Sequence, residues 1–109
     1  MKQQTGILVV IIMLAALFGC TEQQQNVIRI GAAGPMTGDQ SKMGIDLRNS
    51  SELAVSEWNE KGGVLGKKIE LLAGDDQADP KQAVSIANKF INQNVVAVFG
   101  HWNSSCSIP

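Results

Sequence analysis

Hydrophobic and polar positions along this chain switch between a period near two and a period near 3.6, and the switches lay out five consecutive elements. Val27 to Ala33 (VIRIGAA) is a short run with branched residues, closed by the Gly/Pro/Thr/Gly loop at Gly34 to Gly38, and predicts a first strand. From Gly44 to Lys61 the period lengthens: Leu47, Ser51, Ala54, Val55 and Trp58 recur at helical spacing and turn one small, apolar stripe toward a sheet. Gly62-Gly63 stops this helix, since glycine tolerates the left-handed conformation common just past a helix end. Val64 to Lys67 connects tightly into a second strand, Lys68 to Ala73, marked by Ile69, Leu71 and Leu72. Asp79-Pro80-Lys81-Gln82 opens the next helix with an Asp N-cap, proline at the first helical position and glutamine at N3 in a capping-box arrangement. Its predicted buried stripe is Ala83, Val84, Ala87, Phe90 and Ile91. Val95 to Phe99 follows as an unbroken apolar run, the pattern of a fully buried parallel strand.

The order β-α-β-α-β predicts an α/β fold with a parallel sheet, right-handed crossovers and helices covering the sheet in the doubly wound manner. Such sheets place ligands in the crevice outside the carboxyl ends of their strands. Here those ends carry Gly74-Asp75-Asp76 and the run Gly100 to Ser105, so the chain is expected to supply half of a binding cleft. Gly31, Gly34 and Gly38 do not fit G-x-G-x-x-G, and Lys61 and Lys68 stand where a Walker loop around Gly66-Lys67 needs glycine and a hydroxyl, which argues against a nucleotide. Asp75, Asp76 and Asp79 lack the alternate spacing of a calcium loop, and Asp79 is already an N-cap, so no metal or other cofactor is expected. His101, Cys106, Ser104 and Ser105 invite a nucleophilic reading, but there is no G-x-S-x-G elbow and no acid within that stretch to orient the imidazole. His101 is therefore read as a hydrogen-bonded structural residue. Ser104 and Ser105 fall at the start of a third helix, where free N–H groups and the helix dipole favour an anion and a hydroxyl can donate to a carboxylate. Trp102 offers an apolar wall beside them.

The two ends change the picture further. One cation, Lys2, precedes an uncharged apolar run from Ile7 to Gly19, too short for a comfortable span but suited to a cleaved signal peptide, residues 1–19. Leu17-Phe18-Gly19-Cys20 resembles a bacterial lipobox, which makes Cys20 the candidate site of lipidation and residues 20–26 a polar tether. An ordinary secretory signal cut elsewhere and an uncleaved anchor are the alternatives. Loss of Lys2 lowers Lys and Arg from 9 to 8 against 10 acids, a net charge of −2, and with no basic stripe and few aromatics the chain is not expected to bind nucleic acid. With Cys20 acylated, Cys106 has no intrachain partner. Residues 27–109 stop where a third helix begins, so the sequence reads as the start of a longer protein, a partial lobe of a ligand-binding domain; a complete small domain is the alternative.

Four blocks in order, IRIGAAGPMTG, NEKGGVLGKKIELLAGDD, ADPKQAVSIANKFI and VVAVFGHWNSS, closely resemble the start of the periplasmic leucine/isoleucine/valine-binding proteins, the receptors of ABC importers. The resemblance covers Ile28 to Pro109 and implies the N-terminal lobe of a type I solute-binding protein, which closes two lobes around an amino acid and delivers it to a membrane permease without catalysis. It implies that the hydroxyl of Ser104, which follows the G-H-x-x motif, holds the ligand carboxylate, that Trp102 lines the side-chain pocket, and that Met43 stands where some members place an aromatic near the first loop. Ala78 and Asn103 occupy the positions that some members join by a disulfide, so the two loops must be held together otherwise. The expected partners are a branched-chain or related small amino acid, an ABC permease and, through lipid, the extracytoplasmic face of a membrane, with the protein a monomer. A ligand-sensing ectodomain of the same fold and a hydrolase using Cys106 or Ser104 with His101 are the competing classes.

Overall fold

The computed structural model describes residues 27–109; the signal segment, Cys20 and the tether lie outside the described residues. Within them the chain runs as β1 (Val27–Gly34), α1 (Ser41–Glu60), β2 (Lys68–Asp75), α2 (Pro80–Asn92), β3 (Ala97–Phe99) and a short α3 (Ser104–Ser107). The strands form one parallel sheet in the order β2-β1-β3, with Val27 beside Lys68, Gly34 beside Asp75, and Ile30 to Ala32 beside Ala97 to Phe99. The fold class is thus the one expected, a parallel sheet in a β-α-β-α-β order.

Period-two alternation sends the two faces of the sheet to different helices. On one face Ala33 and Leu72 pack with Ile86 and Phe90 of α2 and with Val95. On the other, Leu47 of α1 closes on Gly34, and Ile30 and Ile69 share an apolar groove with Leu47, Val55 and Trp58. Phe90 is only 2% exposed because the sheet beneath it is bare: a Cβ at Gly31 would stand 2.7 Å from its ring, and one at Gly74 would stand 2.5 Å from Ile86. Two glycines on adjacent strands therefore let α2 lie close against the sheet.

Several boundaries and faces differ from the expected ones, each for a local reason. β1 and β2 continue to Gly34 and Asp75 because the ladder pairs them with each other. α1 starts at Ser41, where Ser41 N–H reaches Gly38 O at 3.1 Å, and it ends as expected with Gly62 and Gly63 both at positive φ. α2 carries its Asp79 cap, whose Oδ1 accepts from Lys81 and Gln82 N–H at 2.7 and 3.0 Å. The reciprocal half of the capping box is replaced, however, since Asp79 N–H donates to Asp76 O at 2.8 Å. The buried line of α2 is Ala83, Ile86 and Phe90, whereas Val84, Ala87 and Ile91 are exposed. Val84 and Ala87 line a groove of about 440 Å³ together with Val98 of β3, and Ile91 is exposed beyond it. Similarly, Trp58 and Ala54 of α1 remain exposed beside Phe99.

β3 is shorter than the apolar run that encodes it. Val95 N–H turns back to Phe90 O at 3.0 Å and so closes the end of α2, leaving Val96 N–H to make the first bond to β1 at Arg29 O. Nor is this strand buried: it is the sheet's edge among the described residues, with Val96 and Val98 exposed. Replacing Phe90 by Ala removes the ring that spans Gly31 and Gly74, and is expected to lower stability by about 3–5 kcal/mol. Urea unfolding followed by far-ultraviolet circular dichroism checks this, and a loss under about 1 kcal/mol would show that the ring is not the centre of the core.

Candidate functional site at the strand ends

Because the strands are parallel, the loops that follow Gly34, Asp75 and Phe99 gather at one end of the sheet. Two successive carboxylates at the end of β2 bind those loops together. The first, Asp75, reaches the loop after β1: its Oδ1 accepts from Met36 N–H at 2.8 Å, Thr37 N–H at 3.2 Å and Gln77 N–H at 3.0 Å, and its Oδ2 accepts from the Thr37 hydroxyl. Partial burial acts to raise the pKa of Asp75, but the hydrogen bonds from the Thr37 hydroxyl and the Gln77, Met36 and Thr37 amides outweigh it and hold the group below the usual carboxylate range.

The second carboxylate, Asp76, is fully buried. Its Oδ1 accepts from Ala78 N–H at 2.9 Å and its Oδ2 pairs with Nδ1 of His101 at 2.6 Å, while its own backbone N–H donates to Gly34 O at 3.0 Å. One residue thus touches the end of β1 and the chain after β2 and β3. The turn that permits this holds Gln77 and Ala78 in the left-handed region, at φ 53° and 58°. Each such residue costs roughly 1–2 kcal/mol, offset here by carboxylates that take the N–H of each. Gly100 is equally constrained, for its φ is 104° and a Cβ would lie 1.8 Å from Ala33 O. No other residue fits there, and the chain turns at that point into His101.

After His101 the chain forms the single turn α3. Asn103 sits at its N-cap with φ −95° and ψ 129°, but its side chain makes no capping bond, and its Oδ1 is buried without a partner. Ser104 and Ser105 are exposed in the first turn, where backbone N–H groups have no intrahelical acceptor. The turn is fixed from below by Cys106, 5% exposed, whose N–H donates to Asn103 O at 2.9 Å, and by Ile108 N–H to Ser104 O at 3.1 Å. Burial first, then the charges of Asp76 and Asp79, push the Cys106 thiol up against a smaller opposing hydrogen bond with Ser105. That environment disfavours the thiolate a nucleophile requires.

The expected site residues are therefore distributed as follows. Ser104, Ser105 and the exposed Trp102 share the segment after β3, whereas Met43 lies in the first turn of α1, beyond the loop proper, with its side chain partly exposed. Cys20 lies outside the described residues. The acid that orients His101 does exist, contrary to the expectation drawn from its own stretch: it comes from Asp76, 25 residues earlier. Asp75 and Asp76, weighed in the sequence only as strand-end acids and metal ligands, are organising residues together with Thr37. Their one visible sign was the pair of acids directly after a strand. Among the described residues no group of His, Cys, Asp and Glu is arranged to hold a metal ion, and no helix is long and apolar enough to cross a membrane.

Comparison with known proteins agrees with this architecture. Residues 27–107 match the family model described as "Periplasmic binding protein". The Leu/Ile/Val-binding protein homolog 2 of Brucella abortus is 49% identical over 82 residues, 75% of this chain and 22% of that protein. Among solved structures, the branched-chain amino acid transporter substrate-binding protein LivJ of Streptococcus pneumoniae, in complex with isoleucine, superposes with a TM-score of 0.70 at 30% identity, covering 74% of this chain and 24% of LivJ. An ABC transporter substrate-binding protein of Desulfitobacterium hafniense in complex with Leu gives 0.59 at 41% identity, covering 76% and 24%. A parallel sheet whose strand-end loops are tied into one rim, matched by this family model over most of its length, places the chain in the periplasmic binding protein family. It spans about a fifth to a quarter of the length of the relatives it matches.

The lowered pKa of Asp75 has a defined pH consequence. A carboxylate whose folded value lies below its unfolded value of about 3.9 contributes stability above that value and loses it as pH falls through the folded one. Asp75→Ala is therefore expected to raise amide exchange at Met36 and Thr37 at neutral pH, where the wild-type loop stays protected, and the difference should shrink as pH falls through the lowered folded value. Equal exchange in both proteins at pH 7 would show that the carboxylate does not order the first loop.

Proposed function

We propose that this chain contributes the N-terminal, carboxylate-holding jaw of an extracytoplasmic solute-binding protein that captures a branched-chain or related small amino acid for an ABC importer. The observation that carries this reading is the open turn at Ser104: Ser104 and Ser105 are exposed in the segment that follows β3, and no side-chain cap competes for their N–H groups. Such donors suit a carboxylate, and charge-assisted hydrogen bonds of this kind are the stronger ones. The relatives' names add support, since they describe Leu/Ile/Val-binding and amino-acid-bound transporter proteins.

In this mechanism Ser104 donates its hydroxyl to the ligand carboxylate and Ser105 adds its backbone N–H. Trp102 forms an apolar wall for the ligand side chain, with Met43 at its edge. A second lobe supplies the group for the ammonium and closes over the ligand, and the closed form is what a permease recognises. The protein acts as a monomer without a cofactor. It performs no catalysis: Asp76 orients His101, but the thiol beside it is buried and its pKa is raised, which leaves Cys106 a poor nucleophile.

Isothermal titration of the whole protein with leucine, isoleucine and valine tests the site. Ser104→Ala is expected to weaken binding by about 10- to 100-fold, the worth of one hydrogen bond to a charged group, while leaving the fold unchanged. Unaltered affinity would remove Ser104 from the carboxylate. A separate prediction concerns the anchor, because two or more acyl chains hold a protein stably where one does not. Cys20→Ser, expressed in bacterial cells, is expected to move the protein from the membrane fraction to the soluble extracytoplasmic one. Retention in the membrane would contradict lipidation at Cys20.

A further inference from the structure

We infer that His101 and Asp76 form a positioning clasp that sets the Ser104 turn for ligand, doing across the two loops what a covalent cross-link would do. The inference rests on the carboxylate reading of Ser104 and adds to it two residues that touch no ligand.

Three observations carry it. First, the loops after β2 and β3 have no disulfide, for Ala78 and Asn103 cannot form one, and Cys106, the cysteine among the described residues, is free. Second, among the described residues the side-chain hydrogen bond joining those loops is His101 Nδ1 to Asp76 Oδ2, at 2.6 Å, with the carboxylate side chain 1% exposed and the imidazole 13%. An ionised Asp76 can only accept, so Nδ1–H is the donor, and the bond fixes both the tautomer and the plane of the ring. Third, the backbone around each partner is immobilised independently. Asp76 is held by Gly34 O, by Ala78 N–H and by Asp79 N–H, and Gly100 lies against Ala33 O. A rigid base below and one short strong bond above leave His101 little freedom, and Ser104 follows it by three residues.

Without the bond, a buried carboxylate keeps only the Ala78 amide as a side-chain partner, and the chain from Gly100 to Asn103 loses its side-chain tie to the sheet. The turn would then sample orientations in which the Ser104 hydroxyl and first-turn amides diverge, and each binding event would have to select the aligned one. Affinity falls in proportion to the aligned fraction.

The test uses the whole protein with leucine as the probe and four forms: wild type, Ser104→Ala, His101→Phe and His101→Asn. Phenylalanine keeps the volume of the ring and loses the donor. Asparagine carries an N–H at the same number of bonds from the backbone as Nδ1, and so can restore it. The expected result is an affinity about tenfold lower for His101→Phe, recovered to within about threefold by His101→Asn. In the ligand-free protein, the Cys106 and Ile108 amides, which close the Ser104 turn, should exchange faster in His101→Phe and return toward wild type in His101→Asn. Wild-type affinity in a folded His101→Phe, with Ser104→Ala impaired, overturns the clasp alone and leaves the carboxylate site standing. Weak binding by His101→Phe that asparagine does not rescue, with amide exchange unchanged, also overturns it, since the ring and not the bond would then matter. Absence of leucine, isoleucine and valine binding in the wild type overturns the carboxylate reading and the clasp together.

Discussion

The buried carboxylate of Asp76 is the constraint on which the strand-end architecture depends. A carboxylate removed from water is costly unless its oxygens are satisfied, and here one oxygen takes a local amide while the other takes an imidazole from a distant loop. The backbone of the same residue is bonded to the end of β1. Burial therefore converts a single residue into a fixed point shared by the end of β1 and the segments after β2 and β3. Asp75, one residue earlier, reaches outward instead and fastens the loop after β1 with its amides and a hydroxyl. The alternation of a strand, which points neighbouring side chains to opposite sides, explains how two adjacent acids serve two different loops.

Two of the four non-glycine residues at positive φ among the described residues lie at the same place, while the other two, Leu65 and Asn94, stand in the turns before β2 and after α2. Gln77 and Ala78 stand at positive φ and Gly100 turns where no Cβ could be accommodated, while the sheet beneath is regular. Strained backbone persists only where its surroundings over-determine it, and it clusters at functional positions. Asp75 and Asp76 take the amides of Gln77 and Ala78, and on the α2 face of the sheet Phe90 and Ile86 rest on glycines of two strands. Packing, strain and the exposed serines are successive layers of one arrangement.

Much of the fold was legible in the sequence because it was written in local signals. Asp79-Pro80 marked the start of α2 and Gly62-Gly63 the end of α1, and both hold because caps are decided within a few residues. What the sequence concealed was non-local. Ile86 is buried in preference to Val84 and Ile91 because the small surface of Gly31 and Gly74 selects which line of α2 faces the sheet, and no periodicity within the helix reveals that. Val95 looked like strand but is spent in turning out of α2, since its N–H bonds to Phe90 O, and Val96 makes the first bond to β1 ahead of the strand proper. In the site, the serines and Trp102 were identifiable from their position after a strand, whereas the partner of His101 lay 25 residues away and became visible only when parallel pairing brought β2 and β3 to either side of β1.

The central claim is that the strand-end rim, and Ser104 above all, receives the carboxylate of an amino acid. Backbone amide chemical shifts of the isotopically labelled whole protein, recorded as leucine is added, test it residue by residue. The account predicts that within residues 27–109 the largest changes fall on Ser104, Ser105 and Cys106, with smaller ones at Gly34 to Thr37. Saturable shifts confined to the groove between α2 and β3, with the Ser104 turn unmoved, would contradict it.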